Sequence, residues 1–281
     1  MTDRVCLVTG GNRGIGRAIA EGLARRGGRV GIVCRRARGE EAIGALRAAT
    51  GNERVELFLA DLSSREEIRR LAGEVRERLP RLDVLVNNAG VVMGERRLSP
   101  DGLEWTFAVN HMSYFLLTHW LLDLLRASSP ARVVNVASEA HRRARFHLED
   151  LPAGQNFDGI GAYADSKLAN VLFTYSLAER LAGTGVTANC FHPGVIRTGL
   201  AGDFIRQMPR PLRWVASRLH PLLGSPRRGA ATGVHRAAAR DVEGVSGRYF
   251  SRLRPVQSSR RSYDRDLGGR LWDLSARLGG A

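Results

Sequence analysis

Short apolar runs rich in Val, Leu and Ile alternate with longer amphipathic stretches along this chain of 281 residues. That alternation is the pattern of a parallel sheet covered by helices on both faces. It predicts strands near Arg4 to Thr9, Arg29 to Cys34, Arg54 to Ala60, Leu82 to Asn87, Ala131 to Ala137, Val186 to Phe191 and Gly247 to Phe250. Helices are predicted between them, near Gly14 to Arg26, Glu40 to Thr50, Arg65 to Leu79, Asp101 to Arg126, Gly161 to Ala182 and Arg227 to Arg240. A last helix near Asp266 to Leu278 places Leu267, Leu271, Leu274 and Leu278 on one face. No internal repeat, low-complexity tract or linker marks a second unit. The expectation is one α/β domain over residues 1–281, a doubly wound parallel sheet of about seven strands with helices on both faces.

Composition narrows the class. A hydrophobic content of 43% with 25% charged residues is that of a soluble globular chain, not a disordered one. No charged segment followed by an apolar one precedes the first strand, and nowhere do about 18 apolar residues run uninterrupted, so neither secretion nor a membrane span is expected. Cys6, Cys34 and Cys190 each lie in an apolar strand-like run with no metal-type spacing, and read as small core residues of a protein in a reducing cytoplasm. The net charge of +15 is uneven: residues 201–281 carry 16 arginines against 6 acids. Such a basic face attracts anions at long range, but few aromatics interleave with the arginines and no nucleic-acid recognition motif is present. No nucleic-acid partner is expected; peripheral contact with a membrane and assembly into a homo-oligomer are left open.

Directly after the first predicted strand comes Thr9-Gly10-Gly11-Asn12-Arg13-Gly14-Ile15-Gly16, leading into an amphipathic helix. Glycines at 10, 14 and 16 permit a tight turn and close backbone approach, so a pyrophosphate can rest on the helix's first amides and its positive dipole end. The second strand ends in Cys34-Arg35-Arg36, without the acid that would bond a free adenosine ribose. Arg35 and Arg13 are instead suited to a 2′-phosphate, at about 1.5 to 3 kcal/mol for each charge-assisted bond. NADP(H) is the cofactor these residues imply.

Tyr163-Ala164-Asp165-Ser166-Lys167 lies at the start of a predicted helix, and the four-residue spacing puts Tyr163 and Lys167 on one face. A free tyrosine titrates near 10, so presenting a phenolate near pH 7 takes about three units, or about 4 kcal/mol. An ammonium about 4 to 5 Å away at an effective dielectric near 20 supplies almost that much. Lys167 is the chain's sole lysine among 43 basic residues. Arginine's planar fork cannot replace a compact ammonium that must reach ribose hydroxyls while lying near a phenol. The fifth strand delivers Ser138 to its C-terminal end, where ligands meet parallel sheets. His111, His141 and His192 show no metal-ligand spacing and read as structural or surface residues; no metal is expected.

These segments together resemble the short-chain dehydrogenase/reductase family, whose TGxxxGxG turn matches Thr9 to Gly16. Asp61-Leu62, Asn87-Asn88-Ala89-Gly90 and Pro193-Gly194-Val195-Ile196-Arg197-Thr198 match it in order and position. The resemblance spans nearly the whole chain and implies a Rossmann-type fold. It implies that Asp61 with Leu62 addresses the adenine, and that Asn88, Ala89 and Gly90 support the central sheet and cofactor. Pro193, Gly194, Val195, Ile196 and Thr198 would hold the nicotinamide carboxamide. Ser138 would bond the substrate oxygen, and Asn110 would bend a helix and hold a water in a proton relay. The implied reaction moves a hydride between nicotinamide and a small-molecule carbonyl or alcohol, with Tyr163 exchanging the proton.

Ser138 and Tyr163 stand 25 positions apart, with Glu139 to Ile160 filling the gap. With Asn110-His111-Met112-Ser113-Tyr114-Phe115-Leu116-Leu117-Thr118, Ser166-Lys167-Leu168-Ala169-Asn170 and Phe191-His192-Pro193-Gly194, this resembles the retinol-dehydrogenase branch, which favours lipophilic substrates. The N-terminal membrane anchor that many of those enzymes carry is not expected here. Residues 200–225, rich in apolar side chains and arginines, fall where the family carries a substrate lid. Two other classes of function fit parts of the sequence: a catalytically idle NADP(H)-binding regulator, and a basic protein binding membrane surface or nucleic acid.

Overall fold

The structure, a computed structural model, describes residues 3–35, 38–151, 157–197, 199–206 and 223–281, apart from the side chains of Asp203 and Phe204. Its strands are β1 (Val5–Thr9), β2 (Arg29–Cys34), β3 (Val55–Leu59), β4 (Val84–Asn87), β5 (Ala131–Val136), β6 (Val186–Phe191), β7 (Tyr249–Ser251) and β8 (Arg254–Pro255). They form one sheet in the order β3-β2-β1-β4-β5-β6-β7-β8. All neighbours are parallel except β7 and β8, an antiparallel pair that the sequence pattern does not announce because β8 is two residues long. The order reverses between β1 and β4, opening the crevice at their C-terminal ends where α/β sheets bind ligands.

The longer helices are α1 (Gly14–Ala24), α2 (Gly39–Thr50), α3 (Arg65–Arg78), α4 (Ser113–Trp120), α5 (Leu122–Ala127), α6 (Gly159–Arg180), α7 (Gly199–Arg206), α8 (Pro226–Ala238) and α9 (Arg265–Gly279). Side-chain caps fix several starts: Ser64 on α3, Asp158 on α6, Ser225 on α8 and Asp264 on α9. One core layer joins β-sheet residues such as Leu7 and Val133 to α3, α4, α6 and α9. The other packs Val8, Ile32 and Val134 against α1, α2 and α8. Leu267 and Leu271 of α9 are buried, Leu274 and Leu278 lie against the core, and all three cysteines are buried. Burial pushes the Cys6 and Cys190 thiols up to about 12, as expected of inert core sulfurs.

The predicted helix from Asp101 to Arg126 is corrected. Glu104 caps a single turn, Trp105–Phe107; a π-helix, Ala108–Met112, follows; α4 and α5 come next, separated by Leu121. The stretch is apolar on every side, so its periodicity gives no sign of the break. The polar partners that hold the break lie in distant segments. Most of the predicted lid falls outside the described residues; only α7 and residues 223–225 of it are described.

Candidate active site

The turn after β1 has the shape that the glycines predict. Gly10 and Gly14 adopt left-handed φ values of 65° and 58°. A Cβ on Gly16 would fall on the Gly10 carbonyl oxygen and the Asn88 side-chain amide. Thr9 ties this turn to the loop after β4: its Oγ1 accepts from the Asn88 and Ala89 amides at 2.8 and 3.0 Å, while Asn88 Nδ2 donates to the Thr9 carbonyl at 2.8 Å. Unlike α3, α6, α8 and α9, α1 has no side-chain cap and no acid in its first turn. The first amides of α1 thus carry the positive dipole end without a built-in anion. This cradle fits a dinucleotide pyrophosphate.

Arg13, the N-cap of α1, and Arg35, just past β2, are both exposed. Asp61 Oδ1 accepts from the amide and hydroxyl of Ser63 at 3.0 and 2.8 Å, which shapes the loop after β3. Beyond β6, Gly194 takes φ 84° and Val195 is 74% exposed, while Ile196 is buried and bridges Gly224. Thr198 lies outside the described residues.

The proposed reacting groups meet at the C-terminal end of β5. Ser138 caps a 3-10 turn, Glu139–Arg143, and lies beside the Tyr163 side chain, close enough to favour its ionised form. Tyr163 and Lys167 lie one turn apart on α6, both buried. Lys167 Nζ donates to the Val136 carbonyl at 3.1 Å and stands 5.6 Å from the ring centroids of Tyr163 and Tyr114. The electrostatics depart from the sequence expectation of a phenolate near pH 7. Burial raises Tyr163 above its ordinary value despite the nearby Ser138 hydroxyl, and burial lowers Lys167 to about 7. Desolvation wins because no carboxylate offsets it at the amine, whose contacts are a carbonyl and two rings. The tyrosine is therefore held protonated, the form that gives a proton to a carbonyl oxygen.

Asn110 sits in the π-helix with its side chain fully engaged. Oδ1 accepts from the Val91 amide at 2.8 Å, and Nδ2 donates to the Val91 carbonyl and Ser166 Oγ at 2.9 and 3.0 Å. Its own carbonyl accepts from Asn170 Nδ2 at 2.9 Å. A π turn offsets backbone groups from the ordinary helical ladder, and Asn170 fills the position so opened. Neighbouring His111 is buried, bonded to Ser275, and pushed down to about 4 by burial.

Comparison with known proteins agrees with this geometry. A family model described as short chain dehydrogenase matches residues 4–209. Retinol dehydrogenase 14 of Mus musculus is 41% identical over 98% of this chain and 85% of its own length. The chain is a short-chain dehydrogenase. Within the family it falls in the retinol-dehydrogenase-like branch. A solved structure from Mycobacterium paratuberculosis, of an uncharacterized protein, aligns with a TM-score of 0.78 and 32% identity over 99% of this chain and 94% of that one. A Pseudomonas aeruginosa RhlG/NADP active-site complex aligns with a TM-score of 0.69 and 32% identity, covering 88% and 93% of the two chains.

As an oxidoreductase of this family, the chain also holds site residues that sequence reasoning did not single out. Ser166 and Asn170, which grip Asn110, stand in the quoted Ser166-Lys167-Leu168-Ala169-Asn170 run; their helical spacing from Tyr163 was the available signal. Tyr114, whose ring Lys167 faces, stands in the run from Asn110 to Thr118, but nothing in that run's spacing ties it to Lys167.

Proposed function

We propose that this short-chain dehydrogenase reduces lipophilic aldehydes or ketones with NADPH and runs the reverse reaction on the matching alcohols. The observation that carries the reading is that Ser138 and the buried Tyr163 meet at the end of β5, with the sole lysine one turn along Tyr163's helix. When bound, the nicotinamide supplies the hydride. Ser138 holds the substrate oxygen beside the Tyr163 hydroxyl, Tyr163 delivers its proton to that oxygen, and Lys167 stabilises the phenolate left behind. Asn110 ties the loop after β4 to α6 through Val91, Ser166 and Asn170, which holds the helix carrying Lys167 in place.

NADP(H) is preferred in this reading because Arg13 and Arg35 are exposed and no acid follows β2; the Pseudomonas relative, 32% identical, carries NADP in its complex. Thr9, Gly10, Asn12, Gly14, Ile15 and Gly16 cradle the pyrophosphate, Asp61 and Leu62 border the adenine, and Pro193 to Thr198 meet the carboxamide. A lipophilic substrate is supported by Ile160, 37% exposed and one turn before Tyr163, and by Val195, 74% exposed. Both leave apolar surface open on segments that carry the site. Three buried free thiols support a cytoplasmic setting.

The test is to follow NADPH consumption over a panel of aldehydes and ketones of increasing chain length, with wild type and Tyr163→Phe. Wild type should turn over the longer members, and the variant should lose at least a thousandfold in kcat while still binding NADPH. Activity of the variant within about threefold of wild type refutes the assignment.

A further inference from the structure

Behind Ser138 lies a cluster that the reaction itself does not use: His141, Glu139, Arg142, His192 and Tyr249. The Tyr249 ring is its centre, only 1% exposed, with His141 at 5.0 Å on one side and His192 stacked on it at 5.7 Å and 17°. Each imidazole has its ring nitrogens committed to fixed partners. His141 Nε2 accepts from the Ser259 amide at 2.9 Å, so its proton is on Nδ1, which donates to the Ser138 carbonyl at 2.7 Å. His192 Nδ1 accepts from the Gly194 amide at 3.2 Å, so its proton is on Nε2, which lies 3.4 Å from Glu139 Oε1. That same carboxylate oxygen accepts the Tyr249 hydroxyl at 2.9 Å, and Oε2 accepts from Arg142 Nε at 2.9 Å.

We infer that His141, Glu139 and His192, gathered on Tyr249, form a brace that sets the spacing between Ser138 and the loop Pro193 to Arg197, and are positioning residues for hydride transfer. The inference rests on the proposed function, in which Ser138 holds the substrate oxygen and that loop holds the nicotinamide. The loop and the serine come from the ends of two neighbouring strands, β6 and β5, so the sheet brings them close but does not fix their side-to-side distance. Reacting geometry tolerates errors of about 0.5 Å, and a misplacement of about 1 Å costs roughly a hundredfold. Simple filling would be served by any ring of the right size. Here the nitrogens bind the backbone of both loops, and a phenyl ring would break every one of those links.

Acid is expected to loosen the brace. Burial lowers both histidines, leaving them neutral near pH 7. The charged groups facing His192 are Glu139, Arg142 and Arg252; those facing His141 are Arg142, Glu139 and His192. Protonation of either ring takes away the acceptor that holds Gly194 or Ser259. The contribution is complete above the ordinary histidine value and is lost as pH falls through the lowered one.

The experiment is amide hydrogen exchange on the cofactor-free protein, read over Gly194 to Arg197 and over Ser138 to Arg143, in wild type, His192→Phe, His192→Asn and Glu139→Gln. His192→Phe keeps the stacked ring, and His192→Asn restores an acceptor where Nδ1 stood. The brace requires exchange at Gly194 to Arg197 at least tenfold faster in His192→Phe and in Glu139→Gln, with recovery in His192→Asn. It also requires the acid limb of wild-type kcat to shift in Glu139→Gln. Unchanged exchange in both His192→Phe and Glu139→Gln overturns it; should His192→Phe not fold, Glu139→Gln alone decides. Wild type inactive on every carbonyl tested would sink the proposed function instead, leaving exchange to judge the brace.

Discussion

Replacing Lys167 with methionine should abolish turnover and yet make the protein more stable at neutral pH. Lys167 is 3% exposed, and burial lowers it from 10.5 to about 7. A difference of about three and a half units at 1.36 kcal/mol each is about 5 kcal/mol held against the charged amine in the folded state. Methionine is apolar and of similar length, so it removes that penalty. It also removes the donor to the Val136 carbonyl, which costs about 1 to 3 kcal/mol. The balance at pH 7 is a gain of about 2 to 4 kcal/mol, or roughly 5 to 10 °C in Tm.

The pH dependence separates this account from simple repacking. Unfolded, the lysine binds its proton up to about pH 10.5; folded, only up to about 7. Between those values the unfolded state holds more protons, so wild type gains stability as pH rises while the variant does not. The advantage of Lys167→Met should thus be full below pH 7, shrink above it, and give way by about pH 10 to the cost of the missing hydrogen bond. Urea unfolding at pH 7 and pH 10 measures it, with equal slopes showing that the denatured state is unchanged. A variant less stable than wild type at pH 7, or a difference that does not move with pH, refutes the reasoning.

Two further outcomes follow from the cofactor side. Arg35→Ala should narrow an NADPH preference of at least tenfold over NADH while leaving NADH affinity nearly unchanged, as titration with each cofactor would show; equal affinities in wild type would count against the 2′-phosphate reading. Gly16→Ala places a methyl against the Gly10 carbonyl and Asn88, so calorimetric NADPH affinity should fall at least tenfold, and undiminished binding would mean that the turn does not hold the pyrophosphate.

What the chain disclosed in advance was whatever its own neighbours in sequence decide. Alternation of apolar runs with amphipathic stretches located β1 to β7, and the glycines at 10, 14 and 16 foretold the turn, because both are local consequences of residue type. The Tyr163 to Lys167 spacing is likewise a property of one helix. The π turn around Asn110 was not legible, since its partners Ser166 and Asn170 lie 56 and 60 residues away. The Tyr249 cluster joins residues 110 apart through the order of β5, β6 and β7, which no local pattern states. Nor was the direction of the Tyr163 shift: distance arithmetic between two charges omits the water that folding removes from both, and here that term is the larger.

The buried asparagines explain how a sheet-and-helix scaffold holds a tyrosine in place. Asn87 on β4 donates to Asn135 on β5 at 2.9 Å, and Asn135 donates to Thr174 on α6 at 2.9 Å. Thr174 donates to the Asn170 carbonyl, and the Asn170 side chain donates to the Asn110 carbonyl at 2.9 Å. Asn110 then donates to Ser166, whose hydroxyl donates to the Tyr163 carbonyl at 2.8 Å. Every link is directional, so sliding α6 by one residue along the sheet would break several at once and leave buried amides unpaired at about 1 to 3 kcal/mol each. Apolar packing between α6 and the sheet discriminates registers less sharply, because dispersion contacts are non-directional. The network therefore does for the tyrosine's height on the sheet what the caps do for a helix's start: it makes one register much better than its neighbours.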